Sequence, residues 1–278
     1  MIATSTDRAL AARAPIVRGG RTGLFAGAAV ISKRTLLKFW RTPALIVVGT
    51  VQGAMFLLIF RYVFGGAIGV GGVRYVDYLV PGYVVTGVLF SGASASAGVA
   101  EDMEQGFVDR LRSLPIHRAS VLLGRAMADT TLVAWGTAVT TVIGFAVGFR
   151  LHSTVGQALF AFVLCVVFGF AFEWVFVLIG MMAGSAQAAQ GLSLLVFPFT
   201  FVSSAFVPVK TMPGWMQPIA MHQPVTPMVN AVRTLTQGEA AERLLGHPAS
   251  YWVTRSLLWC VALTVVFGLL SIARFRKG

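Results

Sequence analysis

Residues Glu101–Arg118 read EDMEQGFVDRLRSLPIHR and lie between two long apolar runs. The segment carries seven ionised side chains: Glu101, Asp102, Glu104, Asp109, Arg110, Arg112 and Arg118. Each would cost about 2.5–3.5 kcal/mol at a bilayer centre. The stretch therefore reads as a loop on one side of a membrane.

The loop has internal order. Met103, Phe107, Leu111 and Leu114 recur at helical spacing and form one stripe. Acids stand toward its start, Arg110 and Arg112 toward its end, and Pro115 marks a stop, which predicts a short amphipathic helix parallel to the membrane. Such a helix either rests on lipid headgroups or docks a cytoplasmic protein. Headgroup-resting helices are rich in Lys and Arg and poor in acids; four acids against three arginines favour a protein partner.

Composition agrees with a membrane setting. The 278-residue chain is 56% hydrophobic and 12% charged. Several apolar runs exceed the roughly 20 residues that cross a hydrocarbon core. The net charge of +12 raises nucleic-acid binding as a class, but the cations concentrate beside the apolar runs, where membrane topology accounts for them. Cys165 and Cys260 lie inside apolar runs and supply neither a disulfide framework nor metal-ligand spacing.

Residues 1–23 form a basic tail with Arg8, Arg13, Arg18 and Arg21, and 24–278 form the transmembrane domain. Leu24–Ile31 is apolar, yet it ends at Lys33 with no small-residue cleavage site, so no processed leader is expected. A helix over 24–41, basic on one side and aromatic-aliphatic on another, suits the membrane interface. Six spans are predicted near 44–64, 76–99, 119–149, 154–183, 187–208 and 249–273. With the N-terminus inside, fourteen basic residues fall on the cytoplasmic side and six on the other. That asymmetry predicts N-in, C-in.

Small residues at Ser91–Ala100 and the pairs Gly144/Gly148 and Gly180/Gly184 predict close helix contacts. Pro198 predicts a kink in the fifth span. Outside, Pro213, Gly214 and Trp215 open a first short helix. In a second, Val225, Met228, Val229, Val232 and Leu235 fall at helical spacing beneath Asn230, Arg233 and Thr234. The two helices read as lying on or dipping into the outer leaflet, either as a lid over helix ends or as the outer closure of a pathway.

Arg125 and Asp129 are four residues apart on the third span and share a face. They lie about 10 and 16 Å from the cytoplasmic end, and Glu173 lies about 15 Å from its own. Intramembrane ionisable groups face bundle interiors or cavities. Arg125–Asp129 reads first as an ion pair fixing helix rotation. Glu173 and Asp129, with Phe170 and Trp174 beside Glu173, read as a candidate path for a cationic amphiphile.

No G-x-x-x-x-G-K-[ST] loop, HExxH or GxSxG occurs, and the four histidines are scattered. The chain carries no nucleotide site, metal site or catalytic group of its own.

The run GFVDRLRSLPIHRASVLLGR, with the acids before it, resembles the cytoplasmic loop of ABC-2-type transporter permeases, especially the daunorubicin/doxorubicin-resistance exporter group. FVPVKTMPGWMQPIAMHQPVTPMVNAVRTL, at Phe206–Leu235, resembles the same family's external segment, with Gln223-Pro224 where relatives often carry Asn-Pro. The resemblance implies an all-α, six-span protein of the bacterial plasma membrane. It also implies an N-terminal interfacial helix and re-entrant external helices involving Pro213, Trp215, Pro224, Asn230 and Arg233. A cytoplasmic coupling helix would involve Glu101, Glu104, Gly106, Phe107, Arg110, Leu111, Arg112, Leu114 and Pro115. Two separate ATPase subunits would bind ATP and Mg, and a second permease, identical or paralogous, would complete an exporter of a drug, antibiotic or lipid. The alternative from a different class is a self-sufficient secondary transporter or channel using Asp129 and Glu173.

Overall fold

The computed structural model describes residues 29, 32–33, 35–37, 40–41, 43–70, 72–106 and 118–277. Among the described residues the elements are all helical. Helix α1 spans Pro43–Ile59 and runs on as a π-helical turn, Phe60–Phe64. Helices α2 (Tyr75–Glu104), α3 (Arg118–Ala146), α4 (Val155–Met182) and α10 (Ala249–Lys277) form the long bundle. Between α4 and α10 come α5 (Ala186–Ser193), a 3-10 turn (Leu194–Val196), α6 (Phe197–Phe201), α7 (Gln217–His222), α8 (Val225–Gln237) and α9 (Glu239–Leu245).

Among the described residues, four helices are long and apolar enough to cross a membrane: Tyr75–Glu104, Leu122–Ala146, Val155–Met182 and Ala249–Phe275. They coincide with the second, third, fourth and sixth predicted spans. The most apolar window is 67% buried in α2 and 56% in α4, against 28% in both α3 and α10. The first two therefore form the centre, and the latter pair presents Val142, Leu258, Val261 and Leu269 outward, as a lipid-facing surface requires.

Two expectations are corrected. The span predicted at 187–208 with a kink at Pro198 is interrupted more fully than by a kink: helix gives way to a 3-10 turn at Leu194, resumes with Pro198 in its first turn, and unwinds from Val202. Proline lacks the donor that would carry the ladder through. The GxxxG pairs are likewise only half used. Gly144 packs on Val80, and Gly180 lies against the Ser96 carbonyl and Val99. Gly148 and Gly184 instead adopt φ of 101° and 70° just past the ends of α3 and α4, where a left-handed residue closes a helix.

Local signals set the other boundaries. Thr154 caps α4, its hydroxyl accepting from Gln157 N while the Gln157 side chain accepts from Thr154 N, a reciprocal capping box. Gly92 faces the Phe176 ring so closely that a Cβ would collide, which is how the Ser91–Ala100 stripe brings α2 against α4. Trp40 meets Trp135, near the middle of α3, edge-on at 5.3 Å between ring centroids.

Candidate functional site

Two polar constellations occupy opposite ends of the bundle. The first sits where the loop 105–117 leaves α2 and re-enters α3. Arg125 Nε donates to Asp129 Oδ2 at 2.5 Å, Nη1 donates to Asp102 Oδ2 at 3.0 Å, and Nη2 reaches the Ala95 carbonyl at 3.3 Å. The predicted Arg125–Asp129 pair is thus present, and Asp102 of α2 joins it. Gly98 makes room, since a Cβ there would meet the Arg125 guanidinium.

Glu173, on α4, faces the same group. It is 2% exposed, its carboxyl lies within hydrogen-bonding range of Asp129 and near Arg125, and Oε1 has no protein partner. One guanidinium is therefore shared by two carboxylates from two helices, with the carboxyl of Glu173 from a third beside them. Cutting such a buried pair from one side costs about 3–5 kcal/mol, because the remaining charge is left uncompensated.

Of the predicted path residues, the structure brings Asp129 and Glu173 together but turns Trp174 elsewhere. Trp174 packs with Phe267, Ile272 and Phe275 of α10, and its carbonyl accepts from Ser271 at 3.4 Å. Phe170 stands edge-on to it at 6.1 Å. Glu173 and Trp174, adjacent on α4, thus leave the helix in different directions.

Of the predicted coupling-helix residues, Phe107, Arg110, Leu111, Arg112, Leu114 and Pro115 lie outside the described residues. Glu101 and Glu104 belong to the last turn of α2, which runs past the predicted span end at 99. Gly106, with φ of 62°, stops that helix, its N–H donating to the Met103 carbonyl. The single helix expected over 101–114 is corrected accordingly. Acids at a helix C-terminus oppose the dipole, and Arg125 offsets this by pairing with Asp102.

The second constellation surrounds the break at 202–206. Its freed backbone is claimed group by group. Tyr78 Oη donates to the Ser204 carbonyl at 3.0 Å and Tyr75 Oη to the Phe206 carbonyl at 3.4 Å. Gln223 Nε2 donates to the Phe199 and Val202 carbonyls, both at 3.2 Å, while its Oε1 accepts from Val225 N at 2.9 Å. Gln223 thus holds the break and starts α8. The break lies directly on α2 at Gly82, whose missing Cβ is the space that the Ala205 carbonyl fills.

Arg233 joins these parts. Nε and Nη2 donate to the Tyr78 carbonyl at 3.2 and 3.0 Å, Nη2 also to the Ser204 carbonyl at 2.9 Å, and Nη1 to Asn230 Oδ1 at 3.0 Å. The guanidinium carbon lies 3.6 Å from the Tyr78 ring centroid. At 1% exposure it is among the most enclosed side chains described.

This corrects the expectation that Asn230, Arg233 and Thr234 lie on a polar surface above an apolar one. Every residue of α8 is buried, because its polar side meets the unwound backbone instead of water. Pro213 and Trp215 precede α7, which starts only at Gln217; Trp215 is 70% exposed. Pro224 stands at the N-cap of α8.

The sequence reading missed Asp102, Tyr78, Gly82, Ser204 and Gln223 as members of these clusters. Pro81-Gly82 inside an apolar run was the available signal, since that dipeptide interrupts an otherwise uniform span.

Comparison with known proteins agrees with this architecture. The family model of the ABC-2 type transporter matches residues 28–236. The "Daunorubicin resistance ABC transporter permease protein DrrB1" of Streptomyces coeruleorubidus is 30% identical over 247 residues, 88% of this chain and 84% of that protein. The "Probable doxorubicin resistance ABC transporter permease protein DrrC" of Mycobacterium tuberculosis is 26% identical over 267 residues, 92% and 90% of the two chains. A "Putative transport permease ycf38" of Porphyra purpurea is 26% identical over 209 residues, 72% and 70%. With three quarters of its length matched and the apolar helices in place, this multi-pass chain belongs to the ABC-2 type transporter family.

Proposed function

We propose that the chain is the membrane subunit of an ATP-driven exporter for a hydrophobic or amphiphilic compound, a drug, antibiotic or lipid. ATP and Mg bind in two separate ATPase subunits, and a second permease, a copy or a paralogue, completes the complex in a bacterial plasma membrane. Six crossings with both termini inside fit the fourteen-to-six distribution of basic residues. In that count α1 and the broken α5–α6 stretch are the first and fifth crossings.

The observation that carries this reading is the Asp102–Arg125–Asp129 chain with Glu173 beside it. It ties the helix that enters the cytoplasmic loop to the helix that leaves it, and both to α4. A push on the loop by a partner ATPase therefore reaches three spans together instead of bending one. Two-state elements of this kind carry motion between sites. The loop's apolar ridge, Phe107, Leu111 and Leu114, with Arg110 and Arg112 at its edge, is the surface the ATPase grips.

The test is the reconstituted complex with its ATPase. Reversing Arg110 and Arg112 to Glu should abolish substrate-stimulated ATP hydrolysis while leaving insertion intact. Undiminished stimulation would refute the docking role. Glu173, buried with one oxygen unpartnered, motivates the competing reading of a gradient-driven carrier. Transport by the permease alone in proteoliposomes, lost in Glu173→Gln, would favour that carrier and overturn the exporter.

A further inference from the structure

Helix α10 carries an arginine, Arg255, within its apolar length. Arg255 follows the helix start by six residues, about 9 Å along the axis. It is half-buried and leans on Tyr251 one turn earlier, Nη1 donating to the phenol oxygen at 2.9 Å and the guanidinium carbon standing 5.2 Å from the ring centroid. Among the described residues no carboxylate pairs with it. A guanidinium has five N–H donors, and the protein accepts from one here. The contrast with Arg233 is direct, since that side chain spends its donors on carbonyls.

A shallow, open depression begins at Arg255 and continues along Leu258, Trp259 and Ala262. These positions, i, i+3, i+4 and i+7, form one helix face. The face belongs to the outward surface of the bundle, with Leu258 65% and neighbouring Val261 62% exposed. A cation with spare donors therefore stands at the head of an apolar trough that runs deeper along the span.

We propose that this face of α10 is a phospholipid site, with phosphate oxygens on the Arg255 guanidinium and one acyl chain lying over Leu258, Trp259 and Ala262. The guanidinium fork matches two phosphate oxygens and supplies the acceptors its N–H groups lack. The site needs only that the chain is embedded in a bilayer. The orientation proposed above assigns it to the outer leaflet.

The experiment is native mass spectrometry of the full-length permease taken from vesicles of phosphatidylglycerol and phosphatidylcholine and washed in detergent. Wild-type protein should retain one phospholipid per chain, and Arg255→Gln should lower the retained fraction about tenfold, the loss of one charge-assisted contact. Ala262→Phe, which fills the trough and leaves the cation intact, should lower it as well, and decides the matter if Arg255→Gln does not fold. Equal retention in both variants would overturn the site. So would equal retention of a diacylglycerol without phosphate, or displacement of the lipid by excess inorganic phosphate alone.

Discussion

The two buried arginines, Arg125 and Arg233, are held in opposite ways. Arg125 is paired with carboxylates from two helices and faces a third. Arg233 meets carbonyls, an amide oxygen and an aromatic face, with no anion among its hydrogen-bond partners. Ion pairs depend mainly on charge and tolerate rearrangement, because the partners stay attracted as they separate. Hydrogen bonds to fixed backbone depend on geometry and fail within about an ångström. The end at Arg125 thus tolerates rearrangement, and the opposite end holds the break at 202–206 by geometry.

The largest effect separating the two ends should come from Arg233→Met. It removes the donors to the Tyr78 and Ser204 carbonyls and to Asn230 while keeping the volume. The Ser204 carbonyl keeps the Tyr78 phenol and Asn230 Oδ1 keeps the Ser204 hydroxyl, so what is lost is the charged donor's share, about 1.5–3 kcal/mol for each hydrogen bond to a charged group. A loss of roughly 3–5 kcal/mol is expected on that basis, read as a collapse of the thermal midpoint in detergent or as failure to accumulate. A midpoint near wild type would mean that the break supports itself.

Next is Gly82→Ala. The added methyl meets the Ala205 carbonyl, which is backbone and has nowhere to turn. Overpacking of this kind costs about 1–3 kcal/mol. Gly87→Ala on the same helix has open space at its Cβ and is the control. It should be neutral to slightly stabilising, by about 0.5–1 kcal/mol, because alanine favours a helix interior. If Gly82→Ala matches Gly87→Ala in denaturation, the unwound segment does not rest on α2.

These residues also mark where sequence reading succeeded and stopped. The long spans were legible because length and apolar content alone decide them, as at Tyr75–Glu104 and Val155–Met182. Pro198 announced the broken span, since a proline's missing N–H is a local fact. Helical spacing announced α8 but not its surroundings. Apolar residues on one side say that the two faces differ, not that the polar face meets water, so Arg233 looked exposed. Asp102 was hidden by distance: 23 residues separate it from Arg125, and its neighbours Glu101 and Glu104 made it read as one more loop acid. Gly144 and Gly148 look alike in sequence, yet one packs a helix and the other ends it.

A smaller stability effect with a larger functional one is expected from Asp102→Asn. Its side chain is 17% exposed, and hydrogen bonds between membrane helices contribute only about 0.6 kcal/mol on average, since the unfolded chain in the bilayer finds partners too. The midpoint should move little. Substrate-stimulated ATP hydrolysis in the reconstituted complex should fall several-fold, because α2 is released from α3 at the base of the loop. Normal stimulation would show that the link carries packing only.

The finest test exchanges each arginine for lysine. At Arg125 the ammonium keeps the charge that Asp102 and Asp129 require, so a cost of about 1 kcal/mol or less is expected. At Arg233 one point charge replaces a planar fork whose Nε and Nη2 bind the Tyr78 carbonyl together and whose Nη1 turns to Asn230. Lysine cannot meet both sides at once, so a cost of about 2 kcal/mol or more is expected. Measured side by side by thermal denaturation, the ordering of the two lysine variants matters more than either value. A larger loss at Arg125 than at Arg233 would mean that charge, not geometry, holds the break, and that the two ends of the bundle work by the same means.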